Sequence, residues 1–311
     1  MKGTVVKLLG KVCTVRADGA EPALYECYLR GRLFERPEPV LAVGDRVVFD
    51  PVEEFHTESG ERRTGVIHQI LPRQTALARP ARKRGGEPQV IAANVDQLVV
   101  VSAIQDPPFR TGLIDLYLII ADRARIAPAL CLNKVDLARP EEIEAAREEL
   151  RPYGALAIPL VLTSAVSGAG IEELRSSLKD KRSALVGHSG VGKSKLAGAL
   201  QPGLTLASGA LTRTGKGRHT TSVSMLISLD FGGELVDTPG IRELGISDLD
   251  REELDRHFPE LAPYLGKCRF PSCSHIPEPG CAVKEALGAG AIPHARYESY
   301  VRLYRELAGQ G

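Results

Sequence analysis

The stretch GHSGVGKS (187–194) matches the phosphate-loop pattern G-x-x-x-x-G-K-[ST]. An apolar, strand-like run precedes it and a helix-forming run follows it, which is the context that the pattern requires. Glycines let the backbone turn with positive φ and approach phosphate closely. Lys193 supplies a compact charge for the β- and γ-phosphates, and the Ser194 hydroxyl is a ligand for Mg²⁺. The predicted nucleotide contacts are Gly187, His188, Ser189, Gly190, Val191, Gly192, Lys193, Ser194 and Lys195, with Lys193 also acting in catalysis.

The sequence on both sides of this loop alternates between strand-like and helical runs. QLVVVSAI (97–104), APALCLNKVD (127–136) and LAIPLVLTSA (156–165) are apolar, and each precedes a helical stretch. Such alternation predicts a parallel sheet covered by helices on both faces. SMLISLD (224–230) and ELVDTPG (234–240) are predicted to add a hairpin at the edge of the sheet.

The DTPG tetrapeptide (237–240) follows one of these strands. Asp237 is predicted to join the Mg²⁺ shell, and the Gly240 N–H is predicted to face the γ-phosphate. The pattern is weak alone and becomes strong at the end of a strand that follows a phosphate loop.

The NKVD tetrapeptide (133–136) is the candidate base reader, because open α/β sheets place ligand contacts after their strands. Guanine presents the N1–H and 2-amino donors together, and Asp136 can accept both. Asn133 is predicted to reach the N7/O6 edge and to join the surrounding loops. The stem of Lys134 is predicted to lie over the ring.

A second strand end, TSA (163–165), is predicted to bring the Ala165 N–H to guanine O6, with Ser164 in the same pocket. A four-residue motif alone can arise by chance. Together with the phosphate loop, the two motifs indicate that the nucleotide is GTP.

The motifs occur in an unusual order, with the base reader before the phosphate loop. An ordinary GTPase chain gives this order of motifs when its original N- and C-termini are joined and the chain is cut after the DxxG strand. The same sheet can form, because domain termini often lie close together. The chain therefore contains a circularly permuted GTPase domain, predicted over 90–244, whose DTPG segment leads directly into the following residues.

The N-terminal residues 1–72 contain about five short strand-like runs with turn residues between them. This favours a small all-β barrel of the OB-fold type, although periodicity does not separate it from another small barrel. Residues 73–89 lack periodicity and are predicted to be a linker.

The C-terminal residues 245–311 are predicted to form a small, mainly helical, zinc-binding domain. The stretch CRFPSCSHIPEPGC (268–281) has C-x₄-C-x-H-x₅-C spacing. Three thiolates and one imidazole are a closed tetrahedral set, which is typical of one structural Zn²⁺. The predicted ligands are Cys268, Cys273, His275 and Cys281.

Composition limits the class of protein and the kind of partner that the chain can have. A 43% hydrophobic content excludes a disordered chain, and a net charge of +1 excludes a bulk polyanion binder. A nucleic-acid surface must therefore come from local clusters such as RPARKR (79–84) or RTGKGRH (213–219). Because no apolar run suits a signal peptide or a membrane span, and cysteines lie beside histidine, a soluble cytoplasmic protein is predicted. The other cysteines are predicted to lie in cores: Cys13, Cys27 and Cys131.

The chain resembles the ribosome small subunit-dependent GTPase A family. NKVD, SA, GHSGVGKS, GRHTTS, DTPG and the Cys/His cluster occur in that family's order over essentially the whole length. The resemblance implies an OB-fold, a permuted GTPase domain and a zinc domain. It also implies binding to GTP, GDP, the 30S subunit and 16S rRNA, and 30S-stimulated hydrolysis in late small-subunit maturation. The chain is predicted to be a monomer. Two alternatives remain open: a permuted GTPase acting on the large subunit, and a GTP-regulated RNA-binding module whose hydrolysis is incidental.

The residue that positions the attacking water is the open question. Many GTPases place glutamine after the DxxG glycine, where this chain has Ile241, which cannot orient water. The stretch GRHTTS (217–222) lies in the expected switch I. The family pattern makes His219 a candidate for positioning water, with Thr220 or Thr221 contacting the γ-phosphate and Thr221 assigned to Mg²⁺. Alternatively, His219 contacts rRNA or phosphate, or is merely solvated.

Overall fold

The computed structural model describes residues 1–10, 12–19, 22–29, 41–57, 60–81, 87–206 and 223–309. His219, Thr220 and Thr221 lie outside these residues. No helix among the described residues has both the length and the apolar character needed to cross a bilayer.

The first part of the chain is a closed five-stranded barrel. Strand β1 pairs with β2, β2 with β3, β3 with β5, β5 with β4, and β4 returns to β1. Only the β3–β5 pairing is parallel. The prediction of an OB-like barrel is therefore confirmed. Its strands are β1 (Lys2–Leu9), β2 (Val12–Ala17), β3 (Leu24–Leu29), β4 (Arg46–Thr57) and β5 (Gly60–Ile70).

A small hairpin follows the barrel. Strands β6 (Ala76–Arg79) and β7 (Gln89–Ala93) pair antiparallel as a separate sheet. The stretch 73–89, which the sequence presents as a linker, thus contains β6. The missing apolar alternation is explained by the length of β6, since four residues are too few to show a period.

The central sheet has the order β10-β9-β8-β11-β13-β12. The first five strands are parallel, and β12 is antiparallel to β13. The chain enters at β8, moves outward to β10, and returns to β11, which carries the phosphate loop in the middle of the sheet. The strands are β8 (Gln97–Ala103), β9 (Ala127–Asn133), β10 (Leu160–Leu162), β11 (Arg182–Val186), β12 (Ser224–Ser228) and β13 (Glu234–Asp237).

Helices cover both faces of this sheet, as predicted. Along β8, Leu98 and Val100 point into one apolar cluster, whereas Val99 and Val101 point into the other. The first cluster lies against α1 and α2 and the second against α3 and α4. The helices are α1 (Thr111–Ala124), α2 (Pro140–Ala155), α3 (Ile171–Leu178) and α4 (Lys193–Leu200).

The barrel and the central sheet are hydrogen-bonded to each other. Strand β12 pairs antiparallel with β1, at Lys7 with Met225 and Leu8 with Ser224. The predicted β12–β13 hairpin does form. Because β12 also pairs with β1, the central sheet and the barrel strands form one eleven-stranded sheet. Glu234 reinforces the junction through ion pairs with Arg16 at 2.6 Å and Arg182 at 2.8 Å.

The C-terminal part is mainly helical and packs on α1. It contains α5 (Ala282–Gly288), α6 (His294–Ala308) and short 3-10 segments. Arg296 on α6 is only 3% exposed and forms ion pairs with Asp115 of α1 and with Glu260, the latter at 2.5 Å. The Tyr153 hydroxyl donates to Asp115 Oδ1 at 2.7 Å. A buried polar network thus joins α6 to α1.

Candidate nucleotide-binding site and metal centre

The phosphate loop lies between β11 and α4, at the carboxyl end of the parallel strands. Gly187, Gly190 and Gly192 have φ values of 139°, 88° and 99°. A Cβ on Gly187 would lie 2.0 Å from Val101 O, and one on Gly192 would lie 2.5 Å from Asn133 Nδ2. Only glycine fits these two positions, because both the backbone angle and the neighbouring atoms exclude a side chain.

The Lys193 ammonium lies across the loop. Its Nζ donates to Gly187 O at 2.7 Å and to His188 O at 3.0 Å. Ser194 follows in the first turn of α4. The loop therefore combines a charged donor, a hydroxyl and a helix N-terminus, a combination suited to phosphate.

Asn133, at the end of β9, joins three loops. It is 1% exposed, and its Nδ2 donates to Val191 O of the phosphate loop at 2.9 Å. Its Oδ1 accepts from Thr163 Oγ1 at 3.2 Å and from Ala165 N at 3.3 Å. The structure thus brings the NKVD and TSA motifs to the phosphate loop.

The Asp136 carboxylate is held by a serine. Ser164 Oγ donates to Asp136 Oδ1 at 2.5 Å and accepts from the Ser167 N–H at 3.0 Å. The Lys134 ammonium contacts the Asp106 carbonyl. Sequence reasoning did not select Asp106, which lies three residues after β8, and because the contact uses its main-chain carbonyl, the residue type gave no signal.

The DTPG segment lies beside the phosphate loop's strand. Asp237 ends β13 and is buried, and Thr238 Oγ1 lies 2.9 Å from Ser224 Oγ. Gly240 packs on β7, because a Cβ there would lie 2.8 Å from Ile91 Cγ2. The Ile241 side chain is 4% exposed and belongs to the core. It is therefore not placed to contact a water molecule beside the nucleotide.

Gly192→Ala tests the crowding at the loop. We expect GTP affinity to fall at least about tenfold, because a side chain at positive φ costs roughly 1–2 kcal/mol and the new methyl would displace Asn133. Gly198→Ala in α4 is the matched control, since its Cβ would lie 3.8 Å from the nearest atom, Leu204 O. Fluorescent GTP titration of both variants measures the effect, and equal affinities would contradict it.

The four predicted metal ligands converge. One ligand atom from each lies within 4.8 Å of all the others. Cys268 Sγ is 3.8 Å from Cys281 Sγ, and His275 Nδ1 is 3.4 Å from each of these sulfurs. A tetrahedral ion with Zn–S bonds of about 2.3 Å separates two sulfurs by about 3.8 Å, so the residues fit a metal of this kind. The four residues of this cluster are Cys268, Cys273, His275 and Cys281.

Neighbouring side chains hold the loop that carries these ligands. The hydroxyls of Tyr297 and Tyr300 on α6 donate to His275 O at 2.7 Å and to Ser274 O at 2.9 Å. Asp255 Oδ2 lies 3.4 Å from His275 Nε2. Sequence reasoning missed Asp255, because it lies 20 residues before the histidine in a separate 3-10 segment.

The remaining cysteines belong to apolar cores, as predicted. Cys13 and Cys27 lie in the barrel interior, and Cys131 lies under α3 and α4. Burial raises the pKa of each thiol to about 12, which keeps the thiols protonated near neutral pH.

Residues 70–247, which hold the nucleotide site just described, match the family model for the RsgA GTPase. The chain belongs to the RsgA GTPase family. Members of this family are GTP hydrolases, and the order of the motifs is the circularly permuted one. A relative from Chlorobaculum tepidum, named small ribosomal subunit biogenesis GTPase RsgA, is 43% identical over 86% of each chain. A relative of the same name from Thermotoga maritima is 38% identical over 99% of this chain and 97% of its own.

Solved structures extend the family likeness to the whole fold. YjeQ from Thermotoga maritima has a TM-score of 0.78 and 37% identity, covering 99% of this chain and 98% of its own. YloQ, described as a circularly permuted GTPase, has a TM-score of 0.75 and 28% identity, covering 100% and 96%. Barrel, permuted sheet and C-terminal part are therefore similar in all three proteins.

Proposed function

We propose that this chain is a GTPase that binds the 30S ribosomal subunit and acts in late small-subunit maturation. The subunit stimulates its hydrolysis of GTP, and the chain works as a cytoplasmic monomer in contact with 16S rRNA. The observation that carries the proposal is the match, over 99% of this chain, to a relative named for small-subunit biogenesis.

The guanine contacts follow from the way the loops meet. Asp136, fixed by Ser164, accepts from the guanine N1–H and 2-amino group. Asn133 and the Ala165 N–H lie on the side of the O6/N7 edge, and the Lys134 stem covers the ring. Adenine offers no matching pair of donors to a carboxylate, so GTP is preferred over ATP.

The triphosphate contacts come from residues that follow β11 and β13 at the carboxyl edge of the sheet. The phosphate-loop amides, the Lys193 ammonium and the Gly240 N–H would grip the β- and γ-phosphates. Mg²⁺, when bound, neutralises charge that develops on the phosphates, and Ser194, Thr221 and Asp237 would hold it. Because Ile241 is buried, another group must orient the attacking water, and we assign this to His219. A partner that contacts His219 and places it beside the attacking water then accelerates hydrolysis.

The Cys/His cluster is proposed to hold one structural Zn²⁺. All four ligand positions are filled by side chains, which leaves no open position for a substrate. The ion would cross-link a region that has no disulfide among its described cysteines.

Steady-state hydrolysis with ribosomal subunits tests the proposal. We expect slow GTP turnover by the chain alone, strong stimulation by 30S subunits, and little by 50S subunits. Stimulation by 50S alone would favour a large-subunit factor instead. Equal rates with and without 30S would contradict the proposal.

Lys193→Ala separates a working hydrolase from a binding module with incidental hydrolysis. We expect the variant to lose turnover and to fail in 30S release and maturation. Lys179→Ala, which removes an exposed lysine directly after α3 and outside the nucleotide site, is the control. A turnover-deficient Lys193→Ala protein that still supports maturation would contradict the proposed role of hydrolysis.

A further inference from the structure

The two ring nitrogens of His275 face different partners. Nδ1 points to the sulfurs of Cys268 and Cys281, at 3.4 Å from each. Nε2 points away from them, to Asp255 Oδ2 at 3.4 Å. The ring is buried, so both directions are fixed by protein atoms. The metal-binding nitrogen is therefore Nδ1, and the Nε2–H is the atom left to donate.

We propose that Asp255 is a positioning residue for the metal centre, acting through the His275 ring. This inference rests on the proposed metal site. Its carboxylate accepts the Nε2–H bond, which holds imidazole in the tautomer whose Nδ1 lone pair faces the ion. A carboxylate in this place also makes Nδ1 a stronger donor to the metal.

The surroundings of Asp255 support this role. Its Oδ1 is buried and has no hydrogen-bond partner among the described residues. The side chain as a whole is 20% exposed, and its other oxygen faces the histidine. A partly buried carboxylate without a hydrogen-bond donor is unfavourable, and the His275 Nε2–H supplies one at 3.4 Å.

Asp255 also links the metal to the segment that follows the DTPG strand. It lies in the 3-10 segment Arg251–His257, whose last residue places Nδ1 2.6 Å from Asp122 Oδ2 on α1. Just upstream, Asp248 is bonded to Arg123 of α1 at 2.8 Å. The same short segment therefore contacts the predicted metal ligand through Asp255 and α1 through His257, and Asp248, three residues before the segment, adds a second contact with α1. Metal binding thus fixes this segment as well as its own loop.

Asp255→Ala is the first test, made in the full-length chain. We expect Zn²⁺ affinity, measured by competition with a chromophoric chelator, to fall about 10–100-fold. Asp255→Asn should lose less, because an amide oxygen can still accept the Nε2–H bond. Glu253→Gln is the matched control, since Glu253 lies in the same segment with an exposed side chain, and it should bind Zn²⁺ as the unmodified chain does.

Two further readouts separate positioning from a general loss of folding. Co²⁺-loaded Asp255→Asn should retain the thiolate-to-cobalt charge-transfer band, and GTP binding should be unchanged in all variants. Hydrogen exchange of the amides in 251–257 should speed up when metal is removed from the unmodified chain. In Asp255→Ala the exchange should be fast with or without metal.

The outcomes are distinct. If the unmodified chain binds Zn²⁺ tightly and both Asp255 variants bind it equally well, the positioning role is overturned and the metal site stands. If the unmodified chain takes up neither Zn²⁺ nor Co²⁺, the metal site itself is overturned, and the role of Asp255 with it.

Discussion

Asp136→Asn should lower GTP affinity by about 10²–10⁴-fold, because neither guanine donor would then face a charged acceptor, and a hydrogen bond to a charged group contributes roughly 1.5–3 kcal/mol. The change replaces a carboxylate that can accept two hydrogens with an amide that accepts at one atom and donates at the other. Ser164 would lose its charged partner as well, since it donates to Asp136 Oδ1.

The same variant should gain affinity for xanthosine triphosphate. Xanthine carries a carbonyl at C2 where guanine has an amino group, and the side-chain amide that the substitution introduces can donate to that oxygen. Competition titrations with GTP, XTP and ATP measure the change. Glu141→Gln, at an exposed position in the first turn of α2, removes a similar charge outside the pocket and is the control. Unchanged GTP affinity in Asp136→Asn would contradict the assigned base reader.

Arg296→Ala should destabilise the docking of α6 on α1 by about 3–5 kcal/mol, the usual effect of removing one partner from a buried ion pair. Asp115 and Glu260 would be left buried without their cation. Burial already raises the pKa of Asp115, and the charge of Arg296 opposes that rise. Truncation also removes the guanidinium that lies over the rings of Tyr153 and Phe258.

Chemical denaturation followed by tyrosine fluorescence measures this effect, because the chain has no tryptophan and α6 carries Tyr297, Tyr300 and Tyr304. Arg305→Ala, at an exposed position on α6, is the control and should change stability by less than about 1 kcal/mol. If both variants unfold at the same denaturant concentration, the buried network does not hold α6 in place.

Replacing the whole network provides a second check. A variant with Arg296→Met, Asp115→Leu and Glu260→Leu should recover much of the lost stability, because no buried charge then lacks a partner. Failure to recover would indicate that shape, and not charge, dominates this interface.

Local patterns predicted a large part of this molecule. Glycines with positive φ, apolar strands and the residues that follow them are short-range signals, so the phosphate loop, the NKVD motif and the permuted sheet could be predicted from the sequence. The four predicted metal ligands are close along the chain, which made their spacing informative. Short barrel strands with turn residues between them were sufficient to indicate the OB-like barrel.

Contacts between distant segments gave no such signal. Asp115 and Arg296 are 181 positions apart, and each has the sequence context of an ordinary charged helix residue. Asp255 likewise resembles the exposed acids beside it until the fold places it on His275. The pairing of β1 with β12 depends on the relative placement of two sheets, which no local periodicity encodes.

That pairing has a consequence for cutting the chain. A shortened version beginning at residue 90 would retain all six strands of the central sheet but would strip β12 of its neighbour. The exposed edge of β12 would then present unpaired backbone N–H and C=O groups that can pair with a strand of another chain, which is a common cause of aggregation. The N-terminal barrel thus also protects the edge of the central sheet from pairing with another copy of the chain.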